Sequence, residues 1–494
     1  MAQAPRPPPL KIILRLLGLL TALFSLTMIP PMLVGWWYSD GAVTPFAITL
    51  ISMLMLGVLC WLPVRRIRGE LRTRDGFVVV VLFWLVLSGI SAMPLILAEK
   101  PATLVDAIFE ATSGLTTTGA TVLYGINQLP HAILYYRAQL HFLGGMGIIV
   151  LAVALLPMLG IGGMQLYRAE TPGPMKDEKI TPRIAETAKR LWLVYVALNV
   201  LCITAFWLAG MGLFDAIAHS FATLALGGFS THDASIGHFN SPAIELVAGA
   251  FSFLAGVNFA LHYLVWHSFR QKPSSLGLTP LVRDPEFRLY CKVIAVLVTV
   301  TCGYLYLSGT MNGWAAFHHG FFQTLSITTD NGLVTAGYPE WPLFVVLLLL
   351  MASFFGGCAG STCGGIKAVR FLLLSRQSVR ELKLLIRPYA QVSVKIGGRS
   401  VPSRVVQAVW GFYFLYIFSY CIVSLALVAT GLDIVTAFGS VAGCLNNMGV
   451  GLGASAVHFG ELNDIAKWLL IFSMLVGRLE VFPLLLLFLP DFWR

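Results

Sequence analysis

The chain has 494 residues, of which 57% are hydrophobic and only 11% charged, and its mean hydropathy is +0.80. Soluble domains carry roughly 25% charged residues, so this composition excludes a string of soluble domains. The formal net charge of +10 would suit nucleic acid in a soluble protein, but here Lys and Arg collect in alternate connections between apolar runs, which marks membrane topology instead.

Ten runs are long enough to cross a hydrocarbon core of about 30 Å as helices. They fall roughly at 11–37, 43–63, 77–97, 133–157, 189–210, 242–267, 288–308, 342–373, 404–430 and 463–489. Arg6, Lys11 and Arg15 precede or open the first. Pro7, Pro8 and Pro9 stand there without a small-residue cleavage site, so this run reads as a retained span. Basic clusters follow at Arg65–Arg74, Arg168–Arg190, Arg270–Lys292 and Lys367–Arg404. Lys100, Arg137 and Lys467 are the exceptions on the other side. Positive loops stay in the cytoplasm, which places both termini inside. Eight cysteines are scattered, mostly within apolar runs, and form no disulfide framework.

After the first two spans, the remaining eight form four pairs. Between the members of each pair lies a short apolar stretch ending in a Gly/Thr/Asn-rich loop. Asp106 to Gly119 and Asp215 to Gly228 are both thirteen positions. Phe109 to Gly119 and Phe322 to Gly332 are both ten, and Phe438 to Gly449 is eleven. The repeat is therefore a span, a half-helix, a loop and a span. Each half-helix is too short to cross the membrane at about 1.5 Å per residue. Irregular backbone at membrane depth must be buried or line a watery cavity. Four such loops about one axis make a ring suited to a cation. The expected fold is an all-α polytopic membrane protein with four such units around one pore, plus two N-terminal transmembrane helices. The expected divisions are 1–63, 64–165, 166–270, 271–403 and 404–494.

A cation filter replaces hydration water with carbonyl oxygens, and glycine permits the backbone turns that aim them. Candidate filter residues are Thr117, Thr118 and Gly119; Leu226, Gly227 and Gly228; Asn331 and Gly332; and Asn447, Met448 and Gly449. The competing reading of these glycines is close helix packing. The outward connections are acidic, with Asp40, Asp106, Glu110, Asp215, Asp233, Glu340, Asp433, Glu461 and Asp464, and such a surface concentrates cations. Asp106, Asp215 and Asp433 are read first as N-caps of the half-helices. Asp330 has two open roles, bonding its loop from behind or facing the pore. The eighth run carries Gly356, Gly357, Gly360, Ser361, Thr362, Gly364 and Gly365 at its middle, which should break the helix into a loop below the filter. Arg478 lies inside the last run, and an ionised group at that depth is a functional candidate. Glu480, two residues on, is a poor direct partner for it. Lys367 sits nearer the cytoplasmic end and has two open roles, adding its charge to that of Arg478 or lying solvated. The basic, amphipathic stretch 374–404 suits anionic lipid or a partner.

These motifs resemble the Trk/Ktr/HKT superfamily of potassium transporters, most closely its TrkH/TrkI-type membrane subunits. The pore loops carry the resemblance, together with Met164–Lys179, Ile184–Lys189, Gly356–Lys367 and Leu445–Gly449. The resemblance implies potassium selectivity from a glycine in each loop, although Asp330-Asn331 departs from a commoner Thr-Thr-Gly. It implies an intramembrane gating loop in the third repeat, with Arg478 as an electrostatic barrier beneath the filter. It also implies a homodimer in a bacterial inner membrane, regulated by TrkA-type cytosolic nucleotide-binding subunits. This chain shows neither a strand-flanked GxGxxG nor a P-loop Lys of its own. No cofactor is expected beyond K+ as the transported and filter-bound ion, with Na+ or H+ as alternative or coupled ions. An enzyme is disfavoured, because His131, His141, His219, His262, His267, His318 and His319 show no HExxH spacing. The alternative is a sodium-permeable or sodium/proton-coupled cation transporter of the same fold.

Overall fold

The structure, a computed structural model, describes residues 9–67, 73–98, 103–154, 180–271 and 277–493. The segment Met164–Lys179 and the division at residue 165 lie outside these residues.

Two N-terminal helical segments, α1 (Pro9–Ser25) and α2 (Ile29–Tyr38), run in one span and return through α3 (Val43–Trp61). Their contact is close because Gly18 and Gly57 face each other. A Cβ on Gly18 would lie 2.9 Å from the Gly57 carbonyl oxygen, and one on Gly57 2.6 Å from the Ala22 nitrogen. Small residues let membrane helices approach in this way, where burial of apolar surface offers no drive.

Four helix, half-helix, loop and helix units follow. The first has α4 (Thr73–Ser91), half-helix α5 (Leu104–Leu115) and α6 (His131–Ala154). The second has α7 (Ile180–Leu208), half-helix α8 (Leu213–Ala225), and α9 (Pro242–Ala255) with α10 (Phe259–Gln271). The third has α11 (Pro285–Leu307), half-helix α12 (Gly313–Thr328), and α13 (Leu343–Ser353) with α14 (Ala368–Ile386). The fourth has α15 (Ser403–Ala429), half-helix α16 (Ile434–Leu445) and α17 (Asp464–Arg478). Outward faces remain apolar: Leu208, Leu307, Leu343 and Phe414 are exposed, as in a protein solvated by lipid.

Ten continuous spans are not what forms. Among the described residues six helices are long and apolar enough to cross, and the second members of units two, three and four are broken. The run 242–267 bends by 97° between α9 and α10. Gly256 and Asn258 occupy the break, where the Asn258 side chain accepts from Ala260 N at 2.8 Å and starts a new helix. The run 342–373 opens between Ser353 and Ala368, at the glycines that suggested it. The run 463–489 stops at Arg478, because Glu480 and Val481 take φ of 55° and 64°. A two-stranded hairpin, β1 (Lys395–Ile396) with β2 (Arg399–Ser400), was not foreseen in the basic stretch. Gly397 and Gly398 turn it with φ of 56° and 82°.

Candidate functional site

The half-helices begin on caps and end on a shared turn. Thr103, Asn312 and Asp433 cap α5, α12 and α16, accepting from the backbone N–H of Asp106, Ala315 and Thr436. Gly212 stands at the α8 cap with no side chain to offer. Of the three aspartates expected as caps, only Asp433 is one. Asp106 and Asp215 lie within the first turn, beyond capping reach. Asp106 meets Lys467 at 2.6 Å and Asp215 accepts from the Thr231 hydroxyl at 2.6 Å.

At their C-termini all four repeat one motif. Thr117, Leu226, Asp330 and Asn447 take left-handed φ of 51°, 54°, 60° and 55°. The next N–H reaches back five residues: Thr118 to Ser113 O, Gly227 to Ala222 O, Asn331 to Ser326 O and Met448 to Gly443 O, at 2.8–2.9 Å. This is the Schellman ending of a helix. One residue later Gly119, Gly228, Gly332 and Gly449 turn left-handed again, with φ of 83°, 78°, 73° and 84°. Asp330-Asn331 therefore does not break the backbone pattern; Asp330 stands where Thr117 stands in the first loop.

The four glycines close a ring. A Cβ on Gly119 would lie 1.8 Å from Gly227 O, on Gly228 2.4 Å from Asn331 O, on Gly332 2.1 Å from Met448 O, and on Gly449 2.3 Å from Thr118 O. Each glycine thus faces a carbonyl of the next loop, and the fourth returns to the first. Packing alone does not require that order. Outside the ring, Asn447 Nδ2 donates to Thr118 Oγ1 at 2.9 Å, Phe459 N to Thr121 O at 2.7 Å, and Gly237 N to Val334 O at 3.1 Å. Asn331 Nδ2 donates to Ser252 Oγ on α9 at 2.6 Å. His141 on α6 joins the first two loops. Its Nε2 accepts from Phe229 N at 3.1 Å, so its Nδ1 carries the proton and donates to Gly114 O at 2.9 Å.

On the glycine side of the ring lies an open cavity of about 730 Å³ that includes Gly119, Gly228, Gly332 and Gly449 in its wall. Of the acids expected at this mouth, Asp233 and Glu340 line it. Glu110 does not. It is fully buried behind the first loop, accepts from Arg137 Nε at 2.8 Å and from Val122 N at 3.0 Å, and bonds Thr121. Arg137 also donates to Ser230 O at 3.1 Å and stacks on Phe229 at 4.2 Å. Sequence reading placed Glu110 on the surface and left Arg137 as an exception. The two were each other's explanation, twenty-seven residues apart. Asp40 is likewise consumed locally, accepting from Ala42 N and Ala132 N.

On the opposite side of the ring, residues 354–367 form an irregular loop. Gly364 lies against the fourth pore loop, where a Cβ would be 1.7 Å from Asn446 O. Gly356, Gly360 and Gly365 take φ of 63°, 75° and 64°. The loop is tied to the α9–α10 break by Cys358 N to Gly256 O at 2.8 Å and by Phe259 N to Gly360 O at 3.1 Å. Glu286 Oε1 accepts from Ala359 N and Val369 N at 2.7 and 3.0 Å. The Thr362 hydroxyl reaches Leu224 O at the end of α8, at 2.9 Å, and Ser361 bonds back to Cys358 O.

Arg478 joins loop and ring. Its Nη1 donates to Thr362 O at 3.2 Å and its Nη2 to the Thr117 hydroxyl. Glu480 pairs with Arg370 instead, which stacks on Phe412 at 3.9 Å. Of the two roles open to Lys367, solvation is the one that fails: it is buried and donates to Cys363 O. Asp330 is buried with both carboxylate oxygens lacking a hydrogen-bond partner among the described residues, and Oδ2 would lie 3.3 Å from a Cβ on Gly356. Of its two open roles, bonding its loop from behind has no hydrogen bond to support it among the described residues.

Residues 43–494 match the TrkH family, described as cation transport protein. The Trk system potassium uptake protein TrkH of Vibrio parahaemolyticus is 53% identical over 485 residues, covering 98% of this chain and 99% of that protein. TrkH of Escherichia coli K12 is 52% identical over 484 residues, with the same coverage. The Trk system potassium uptake protein TrkI of Halomonas elongata is 30% identical over 485 residues, covering 98% of this chain and 96% of that one. The crystal structure of the potassium transporter TrkH from Vibrio parahaemolyticus superposes with a TM-score of 0.91 at 49% identity, over 98% of this chain and 100% of that chain.

Proposed function

Because this chain belongs to the TrkH family of cation transport proteins, we propose that it takes up K+ across the bacterial inner membrane through the ring of four loops. The observation that carries this reading is the cyclic order of the glycines, each set against the next loop's carbonyl. Carbonyls of Thr117, Thr118 and Gly119, Leu226, Gly227 and Gly228, Asn331 and Gly332, and Asn447, Met448 and Gly449 stand in for the hydration shell of the ion. The half-helices α5, α8, α12 and α16 direct their partially negative C-termini at that ring and favour a cation there. The cavity outside it collects the ion, with Asp233 and Glu340 on its wall.

Residues 354–367 are the gate, with Gly356, Gly357, Gly360, Ser361, Thr362, Gly364 and Gly365 supplying its turns and close contacts. Arg478 holds it shut, since one guanidinium reaches both Thr117 of the filter and Thr362 of the loop. Its charge also repels a cation leaving the filter. Divisions at 63, 165, 270 and 403 separate the N-terminal pair from four repeats about one pore. Both termini are cytoplasmic, which puts α14 and its basic residues on the side of TrkA-type regulatory subunits. The assembly is a homodimer with one pore per chain.

The test is ion flux into proteoliposomes. K+ entry well above Na+ entry is expected. Equal entry overturns the potassium filter and leaves a sodium-permeable pore, and no cation entry overturns the transporter reading. Imposed pH and Na+ gradients then separate a channel from a symporter.

A further inference from the structure

In the first two turns of α9 and α12, Glu245, His318 and His319 converge. One ligand atom from each lies within 4.8 Å of the other two. Glu245 is 5% exposed, and its Oε2 lies 3.0 Å from His318 Nε2. The two atoms are an ion pair when His318 is protonated, and neither makes a further hydrogen bond among the described residues. Trp314 stacks on His318 with centroids 5.8 Å apart, and the Thr335 hydroxyl lies 3.2 Å from His319 Nδ1, so both rings are held from outside the cluster. None of the three lines the cavity outside the ring, although Thr335, which His319 meets, does.

We propose that Glu245, His318 and His319 form a binding site for a first-row divalent transition cation, Zn2+ foremost, that bridges α9 to α12. Two imidazoles and one carboxylate are the donor set of three-ligand zinc sites, which leave a fourth position open. K+, Mg2+ and Ca2+ prefer all-oxygen shells and are disfavoured here. The two histidines are half-buried, so water reaches that fourth position. Bonds of about 2.1 Å place ligand atoms roughly 3.4 Å apart in a tetrahedron, a closure within side-chain reach of the observed spacing. Glu245 and His318 face each other at 3.0 Å and pair when the imidazole is protonated, so a metal ion takes the place of that proton between them. The Thr335 hydroxyl and the Trp314 face supply the outer contacts that orient metal-bound rings.

The test uses the full-length chain in lipid nanodiscs, titrated with Co2+ as a spectroscopic stand-in for Zn2+. One equivalent is expected to bind with the intense visible absorption of a tetrahedral site, and Zn2+ to displace it. Separately, Zn2+ should raise the unfolding temperature. Glu245→Gln, His318→Asn and His319→Gln should each weaken binding about tenfold or more and remove the thermal shift, while eluting as the wild type does on size exclusion. The stacked pair His232 and His238, whose centroids are 3.6 Å apart beside Asp215, is the internal control. His232→Gln with His238→Gln should leave the binding intact. The proposal is overturned if the wild type takes up no stoichiometric Co2+, if all three single variants bind as it does, or if the loss follows His232 and His238.

Discussion

The ring of four loops and the loop on its other side are both rich in glycine, yet the residue does different work in each. In the ring, every glycine is set against a backbone carbonyl of another repeat, and backbone cannot move aside. In the other loop the contacts are mixed. A Cβ on Gly360 would lie 3.1 Å from the Asn258 side chain and one on Gly357 2.3 Å from Cys363 Sγ, while on Gly356 and Gly364 it would meet the carbonyls of Gly364 and Asn446. The ring is fastened by backbone bonds within each half-helix ending. The loop has backbone ties too, Cys358 N to Gly256 O, Phe259 N to Gly360 O and Gly365 N to Asn446 O, and adds three single side chains: the Glu286 carboxylate, the Thr362 hydroxyl and the Arg478 guanidinium. The loop's side-chain ties can be removed one substitution at a time, whereas each ring glycine meets backbone.

The strongest way to break this contrast is from behind the ring. Glu110→Ala strands Arg137 in a buried position and should cost about 3–5 kcal/mol, seen as a fall in the unfolding midpoint of the purified protein. Replacing both, Glu110→Leu with Arg137→Met, should recover much of that loss. An unchanged midpoint in Glu110→Ala would mean the ring does not lean on this pair. Next, Gly119→Ser puts a Cβ where Gly227 O now lies, and K+/Na+ discrimination should fall about tenfold or more, roughly 1.4 kcal/mol. Discrimination equal to wild type would remove Gly119 from the filter. Arg478→Ala deletes the tie between ring and loop. At about 1 kcal/mol for one such bond, basal flux should rise roughly fivefold; shortening the 356–365 loop should act in the same direction. Lower or unaltered flux in both would remove the gate.

The smallest effect is at the start of α16. Asp433→Ala removes a cap and should cost about 1 kcal/mol of stability with selectivity intact. The side-chain and backbone bonds from Thr436 hold the Asp433 carboxyl below its ordinary value of 3.8. A lowered folded value means the cap's contribution is present above that ordinary value and is lost as pH falls through the range beneath it. Acid-induced destabilisation should therefore be smaller in Asp433→Ala than in the wild type, compared by thermal unfolding across that range.

Much of the ring was legible in the sequence, because each glycine follows a half-helix at nearly constant spacing. The glycines of 356–365 announced a broken helix for the same local reason. What escaped were pairings across the fold. Glu110 looked like a surface acid because its arginine is on the next span. His141 looked like one of several histidines, since its two partners belong to different loops. For Lys367 solvation stayed open, because burial is set by elements far from it in the chain. The break at Gly256–Asn258 had a signal, a glycine beside a capping asparagine, that apolar run length concealed.

By itself the sequence determined the membrane as solvent, the four repeated units and the four glycines. These are statements of composition and period, which neighbouring residues carry among themselves. Only the tertiary structure decided that each glycine abuts the following loop's carbonyl, that Asp330 shares the backbone turn of Thr117, and that Arg478 reaches Thr362 and Thr117 together. Those contacts join residues as many as 361 positions apart, and distance in space at that separation is a property of packing that no local pattern encodes.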